Sequence, residues 1–182
     1  LPILCFFIAE GYTHTRSVRR YALRLLLFAL ASYLPFLYFN TGALPGASTW
    51  YRWNILFPLL AGLLALWAQD VTARPWLRWL ITAGLFLLTL PGDWNGFPVV
   101  FILAFGLGRP GPRERLGRYS LAAGLAVLAY SMPYILYLFT LTGAELPFLF
   151  TSKLLPQPVT IWDFLLNAGI QAGLFLALPL LK

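Results

Sequence analysis

Long apolar runs alternate with short polar or basic stretches from Leu1 to Lys182. About 20 consecutive apolar residues span a bilayer as a helix. Seven segments fit this pattern: residues 1–9, 21–39, 53–68, 76–90, 94–107, 119–141 and 164–181. The first is truncated. The third, fourth and fifth are short, and two of them admit a re-entrant path instead of a full crossing. The runs are continuously apolar, without the two-residue alternation of a membrane β-barrel. The predicted fold is therefore all-α: a polytopic transmembrane helix bundle of about seven spans, with residues 1–182 forming one transmembrane domain.

The charges between the runs orient the bundle. With loops assigned alternately to two sides, one side receives Arg16, Arg19, Arg20, Arg24, Arg74, Arg78, Arg109, Arg113, Arg115, Arg118 and Lys182. The other receives only Arg52 and Lys153. One miscounted helix would scramble this asymmetry. Basic residues collect in cytoplasmic loops, so the first side is predicted to be cytoplasmic. Trp50, Tyr51, Trp53, Trp76, Trp79, Trp94 and Trp162 fall at segment ends, where interfacial aromatics belong.

Composition agrees with the pattern. The chain is 60% hydrophobic and 10% charged, with a mean hydropathy of +0.76. A soluble domain carries roughly 25% charged residues and would expose large apolar patches at these values. The net charge of +7 follows from the cytoplasmic loops, so it does not imply nucleic acid. Cys5 is the sole cysteine; an internal disulfide is excluded, and one His with one Cys builds no metal site.

The chemistry-bearing residues cluster near the start. In GYTHTR (residues 11–16) stands the single histidine, His14. If the first helix continues that far, Glu10 and His14 lie at i and i+4 on one face. A carboxylate beside an imidazole orients it and raises its basicity, the arrangement of a general base. The alternative is an interfacial histidine whose neighbouring carboxylate packs against Arg16 or Arg20. Arg20 and Arg24 repeat the i, i+4 spacing just inside the second segment. They read either as a clamp for an anionic ligand or as positive-inside anchors whose heads snorkel to the membrane surface. The basic turn RPGPRER (residues 109–115) reads as an anchor. Asn54, Asn167 and Gln171 suit hydrogen bonds between helices, while Asp93 and Asn95 suit a tight turn.

Three stretches carry a family resemblance. FFIAEGYTHTRSVRRYALRLLLFALASYLPF (residues 6–36) has an acidic–Gly–aromatic helix end, a His-Thr-Arg turn and a Tyr-x-x-Arg-Leu helix. WYRWNILFPLLAGLLAL (residues 50–66) opens a helix on an Asn before an apolar run. GDWNGFPVVFILAFGL (residues 92–107) is a glycine-containing helix followed by a basic loop. In order and spacing these resemble the TraX family, as far as about Arg118.

The resemblance implies an integral acyltransferase of the bacterial inner membrane, of the kind named for the conjugation protein that N-acetylates F-type pilin. Acetyl-CoA would be the acyl donor, used from the cytoplasmic face. A pilin N-terminus or a small amine or hydroxyl compound would be the acceptor. Glu10 and His14 are then catalytic candidates, and Arg16, Arg20 and Arg24 are candidates for holding the phosphates of acetyl-CoA. His14, Arg16 and Arg24 stand on the family's motif positions. The chain opens inside an apolar run and closes directly after one, which reads as the middle of a longer protein. The resemblance implies that the family's main catalytic pair, an Asp-His pair, stands upstream of it, with Glu10 and His14 secondary candidates, and that a Pro-His-Leu motif stands downstream. Two rival classes remain: a small multi-span transporter or channel, which predicts mid-helix charges and an inverted repeat, and a structural membrane subunit without catalysis.

Overall fold

Six of the seven predicted segments coincide with helices in a computed structural model of the protein. The structure describes residues 1–42, 52–92, 94–141 and 173–175, with side chains through 132 in the third stretch. The helices are α1 (Pro2–His14), α2 (Val18–Thr41), α3 (Leu56–Val71), α4 (Pro75–Thr89), α5 (Phe97–Gly106) and α6 (Pro112–Leu141). No strand occurs among the described residues. The predicted seventh segment lies outside them, apart from a 3₁₀ turn at 173–175. Asn167 and Gln171 also lie outside.

Local chemistry explains the ends. Pro2, Pro75 and Pro98 sit in the first turns of α1, α4 and α5, where the missing N–H loses no helical bond. Ser17 caps α2, its hydroxyl accepting from the Arg20 N–H. Gly42 ends α2 in the left-handed conformation and returns its N–H to the Tyr38 carbonyl. At 24 residues, α2 measures about 36 Å, which exceeds the roughly 30 Å hydrocarbon layer of a bilayer. It is the one helix among the described residues that is long and apolar enough to cross a membrane. The shorter apolar helices α3, α4 and α5 have 16, 15 and 10 residues.

Residues Leu1–Tyr119 form one compact unit and Ser120–Lys182 a second. In the first unit α3 and α5 make the centre. Both are buried on nearly every side: Leu59, Ala61, Leu63, Ala65 and Leu66 of α3, and Val99, Phe101, Ile102 and Phe105 of α5. Helix α1 packs on both, and α2 and α4 pack on α3. Two glycines set the α3–α5 spacing. A Cβ on Gly62 would lie 2.5 Å from Ile102 Cδ1, and one on Gly106 would lie 2.6 Å from a Leu66 methyl. Small residues at such crossings let backbones approach closely. Phe105 meets Phe6 edge-on at 5.6 Å and stacks on the fully buried Tyr119 at 5.0 Å.

Polar groups tie the outer helices to the centre. Asn54, 3% exposed, donates from Nδ2 to the Ala29 carbonyl (2.9 Å) and the Ser32 hydroxyl (2.8 Å) of α2. Its Oδ1 accepts from the Leu56 N–H at the start of α3. Gln69 of α3 donates to the Thr82 hydroxyl of α4 within the core. The reading of Asn54 as a helix-to-helix bond is what the structure shows.

The outside of the first unit is apolar. Helix α4 buries Thr82 and Thr89 while exposing Trp76, Trp79, Leu80, Leu87 and Leu88. Of α2 only Ala29 and Leu37 are buried; Leu23, Leu27, Phe28, Leu30 and Leu34 face outward. The second unit holds the remainder of α6, where Leu121, Leu125 and Leu128 are exposed.

Before α5, the chain turns through Trp94, Asn95 and Gly96, all with positive φ (65°, 44° and 78°). A Cβ at Gly96 would meet the Phe86 ring at 3.0 Å and its carbonyl at 3.1 Å, so glycine fits both the conformation and the space. Asp93 lies outside the described residues.

Candidate functional site

The helix that begins in the first apolar run does not stop with it. It continues for five polar-rich residues to His14, placing Glu10 and His14 on one face one turn apart. His14 Nδ1 lies 2.9 Å from the Glu10 backbone carbonyl, 3.0 Å from the Thr13 hydroxyl and 3.8 Å from Glu10 Oε2. A carbonyl only accepts, so this bond requires the proton on Nδ1. In the neutral ring Nε2 then keeps its lone pair, on a side chain that is 79% exposed. That tautomer and orientation suit a proton acceptor facing a ligand.

The Glu10 carboxylate is not held by Arg16 or Arg20. Its partner is Arg115, at the start of α6, in an ion pair whose side chains are 28% and 24% exposed. Arg115 is itself fixed, its Nε donating to the Pro110 carbonyl at 2.9 Å. Beside this pair the Tyr12 hydroxyl donates to Asp70 Oδ2 at 2.6 Å, linking α1 to the end of α3. Burial first, then the bond to Asp70 and its charge, push the Tyr12 phenol upward, with Arg109 pulling weakly the other way. Tyr12 therefore remains a neutral donor. Arg78 donates to the Thr72 carbonyl, capping the end of α3 from α4. Arg118 pairs with Glu114 one turn away and also donates to the Leu107 carbonyl. The connections α1–α2, α3–α4 and α5–α6 thus meet at one end of the first unit, and most of the arginines stand in them or in the first two turns of the helices that follow.

Between α1 and α2 at this end opens a cleft of about 300 Å³, lined by Gly11, His14, Thr15, Tyr21 and Arg24. Arg24 is the second residue of the Arg20–Arg24 pair and lies almost two turns into α2. It is exposed and has no hydrogen-bond or ion-pair partner among the described residues. Glu10, Asp70 and Glu114 are each engaged elsewhere, and no carboxylate among the described residues is part of the lining. The structure brings together His14 and Arg24 of the predicted set. Arg16, in the α1–α2 connection, and Arg20, in the first turn of α2, are exposed nearby but outside the lining. Tyr21 and Arg115 belong to the same end, and local spacing pointed to neither as a site residue. Arg115 is 105 positions from Glu10, beyond any local pattern.

A family model described as TraX protein matches residues 1–163. The chain belongs to the TraX family. The match extends well past Arg118, where the recognisable motifs stop. Similarity to individual proteins varies from chain to chain. This one is 33% identical over 135 residues to "Probable fimbrial assembly protein FimC, serogroup H1" of Dichelobacter nodosus. The aligned stretch covers 71% of this chain and 55% of that protein, so the chain spans about half the length of the relative it matches. No solved structure matches the chain.

Proposed function

We propose that this TraX-family chain is part of a multi-pass protein of the bacterial inner membrane that transfers an acetyl group from acetyl-CoA to an amine or hydroxyl acceptor during pilus biogenesis. The cleft carries the reading: a histidine with a free Nε2 lone pair and an unpaired arginine line one opening from which every described carboxylate is absent. Such a site is complementary to an anion that also presents an electrophile. The phosphates of acetyl-CoA would be held by Arg24, assisted from the rim by Arg16 and Arg20, since guanidinium matches phosphate geometry.

In the reaction, the acceptor nitrogen or oxygen attacks the thioester carbonyl while its proton passes to His14 Nε2. The tetrahedral centre collapses, the C–S bond breaks, and the proton leaves His14 for the departing thiolate. Glu10, pinned by Arg115, supplies a fixed negative charge 3.8 Å from Nδ1, which favours the imidazolium formed on the way. The name of the fimbrial relative supports a pilin N-terminus as the acceptor.

The membrane setting is supported by the inverted burial of α4 and the apolar exterior of α2. Fully burying a Leu or Phe side chain is worth about 1.5–3 kcal/mol, so water is a poor solvent for these faces and lipid a good one. The arginines collected at one end support the cytoplasmic orientation of that end.

The test uses the full-length protein in lipid nanodiscs. Arg24→Ala should weaken acetyl-CoA binding about tenfold, near 1.4 kcal/mol. His14→Ala should leave binding intact and lower acetyl transfer by about 10²–10⁴. Unchanged affinity in Arg24→Ala would remove the anion site, and unchanged transfer in His14→Ala would remove the base. Labelling of single cysteines placed in the loops reads the topology: sites at 73 and 111 should react from the cytoplasm.

A further inference from the structure

The cleft holds one more group that the reading above leaves idle. Tyr21 stands three residues before Arg24 on α2, so the two share a helix face. Its ring lies over the backbone of α1 at Gly11. A Cβ there would be 2.9 Å from the Tyr21 hydroxyl oxygen and 3.2 Å from two ring carbons. The absence of a side chain at position 11 is thus what lets the ring settle on α1 and brings the hydroxyl to the cleft wall. Tyr12, on the same helix as Gly11, spends its hydroxyl on Asp70. The Tyr21 hydroxyl has no partner among the described residues, although the residue is half-buried.

Resting on the anion reading of the cleft, we infer that Tyr21 is a ligand-contacting residue: its hydroxyl donates a hydrogen bond to a phosphate oxygen of the group that Arg24 holds. The two donors are complementary. Arg24 supplies charge and tolerates several orientations on a flexible stem. Tyr21 supplies one direction, from a ring that Gly11 fixes and that adds no charge. A phosphate has oxygen acceptors enough for both. Gly11 is then a positioning residue, acting on the ligand only through Tyr21. The phosphate could belong to acetyl-CoA or to the headgroup of an anionic lipid, because the apolar face of α2 begins beside the cleft with Leu23 and Leu27.

The experiment is calorimetric titration of the full-length protein in phosphatidylcholine nanodiscs with two probes, acetyl-CoA and short-chain phosphatidylglycerol. Tyr21→Phe keeps the ring over Gly11 and deletes only the hydroxyl, so thermal unfolding should be unchanged. Its affinity should fall about tenfold for the probe that supplies the phosphate, in line with a hydrogen bond to a charged group. Gly11→Ala, which displaces the ring, should weaken the same probe by a similar factor, and adding it to Tyr21→Phe should cost little more. Wild-type affinity of Tyr21→Phe for both probes overturns the assignment. If Arg24→Ala still loses binding in that case, Tyr21 is a packing residue in a valid anion site. If neither variant changes binding, the anion site falls as well.

Discussion

Replacement of Asn54 by alanine tests the polar tie between α2 and α3. The side chain is almost wholly buried and makes three hydrogen bonds, two as donor to α2 and one as acceptor at the start of α3. A bond of this kind contributes about 1 kcal/mol net in water and about 0.6 kcal/mol on average between membrane helices. Loss of a side-chain acceptor at a helix start costs about 0.5–2 kcal/mol. Together these give about 2–3 kcal/mol for Asn54→Ala. For a chain of this length 1 kcal/mol corresponds to about 2–4 °C, so the midpoint should fall by about 5–10 °C in detergent, followed by tryptophan fluorescence. Asn54→Asp sharpens the test. It keeps the acceptor for Leu56 but presents a carboxylate to the Ala29 carbonyl, so it should be worse than alanine despite its near-identical shape. A double-mutant cycle with Ser32→Ala should return a coupling of about 0.5–1 kcal/mol. A midpoint shift below 1 °C in Asn54→Ala, or wild-type stability in Asn54→Asp, would show that Asn54 does not tie α2 to α3.

Other consequences can be measured in the same way. Glu10→Gln and Arg115→Gln should each destabilise by about 1–2 kcal/mol, between the values for exposed and fully buried pairs, and the double variant should cost no more than either single one in thermal unfolding. Gly106→Val drives a branched side chain into Leu66 and Ala9 and should cost about 1–3 kcal/mol by overpacking. Gly84→Ala, with nothing within 4 Å of the added carbon, should instead stabilise α4 by up to about 1 kcal/mol; opposite signs at the two glycines are the expected result of parallel melts. Tyr12→Phe should lower stability at neutral pH. Because the Tyr12 phenol titrates higher in the folded than in the unfolded chain, that contribution is full below the ordinary tyrosine pKa of about 10 and fades as pH rises through the folded value. Midpoints of the two proteins should therefore differ at neutral pH and converge in strong alkali.

The helices were legible because each predicted segment is a long, predominantly apolar run, and apolar length alone marks the middle of such an element. Their ends were less so. Helix α1 outlasts its apolar run by Glu10–His14, and α6 begins at Pro112, seven residues before the predicted start, through a stretch rich in arginine. Hydropathy ends a segment where charge begins, whereas a helix ends only where its backbone bonds do. In α5 the error has the other sign. The run suggests a start at Trp94, yet three left-handed residues hold the backbone out of the helix until Phe97. The i, i+4 pairing of Glu10 with His14 could be read from spacing, because it follows from helix period. The Arg115 and Asp70 contacts could not, since they are made by side chains far apart in sequence that only tertiary packing brings together. Tyr21 was visible as part of a motif, but its place over Gly11 depends on how α1 and α2 cross.

Helix α5 has only ten residues, is apolar on every side and is enclosed by α1 and α3. At about 15 Å it reaches halfway across a hydrocarbon layer of roughly 30 Å, so under the membrane reading it cannot integrate on hydrophobicity alone. The irregular turns at its ends need neighbours to satisfy their backbone groups. Biogenesis of the protein must then follow an order: α1 and α3 enter first and prepare the slot, and α5 is drawn in behind them. In a glycosylation-based insertion assay, residues 92–111 placed alone in a carrier should fail to integrate, while the same residues following α1–α4 should be retained. Independent insertion of the isolated segment would show that no such order exists.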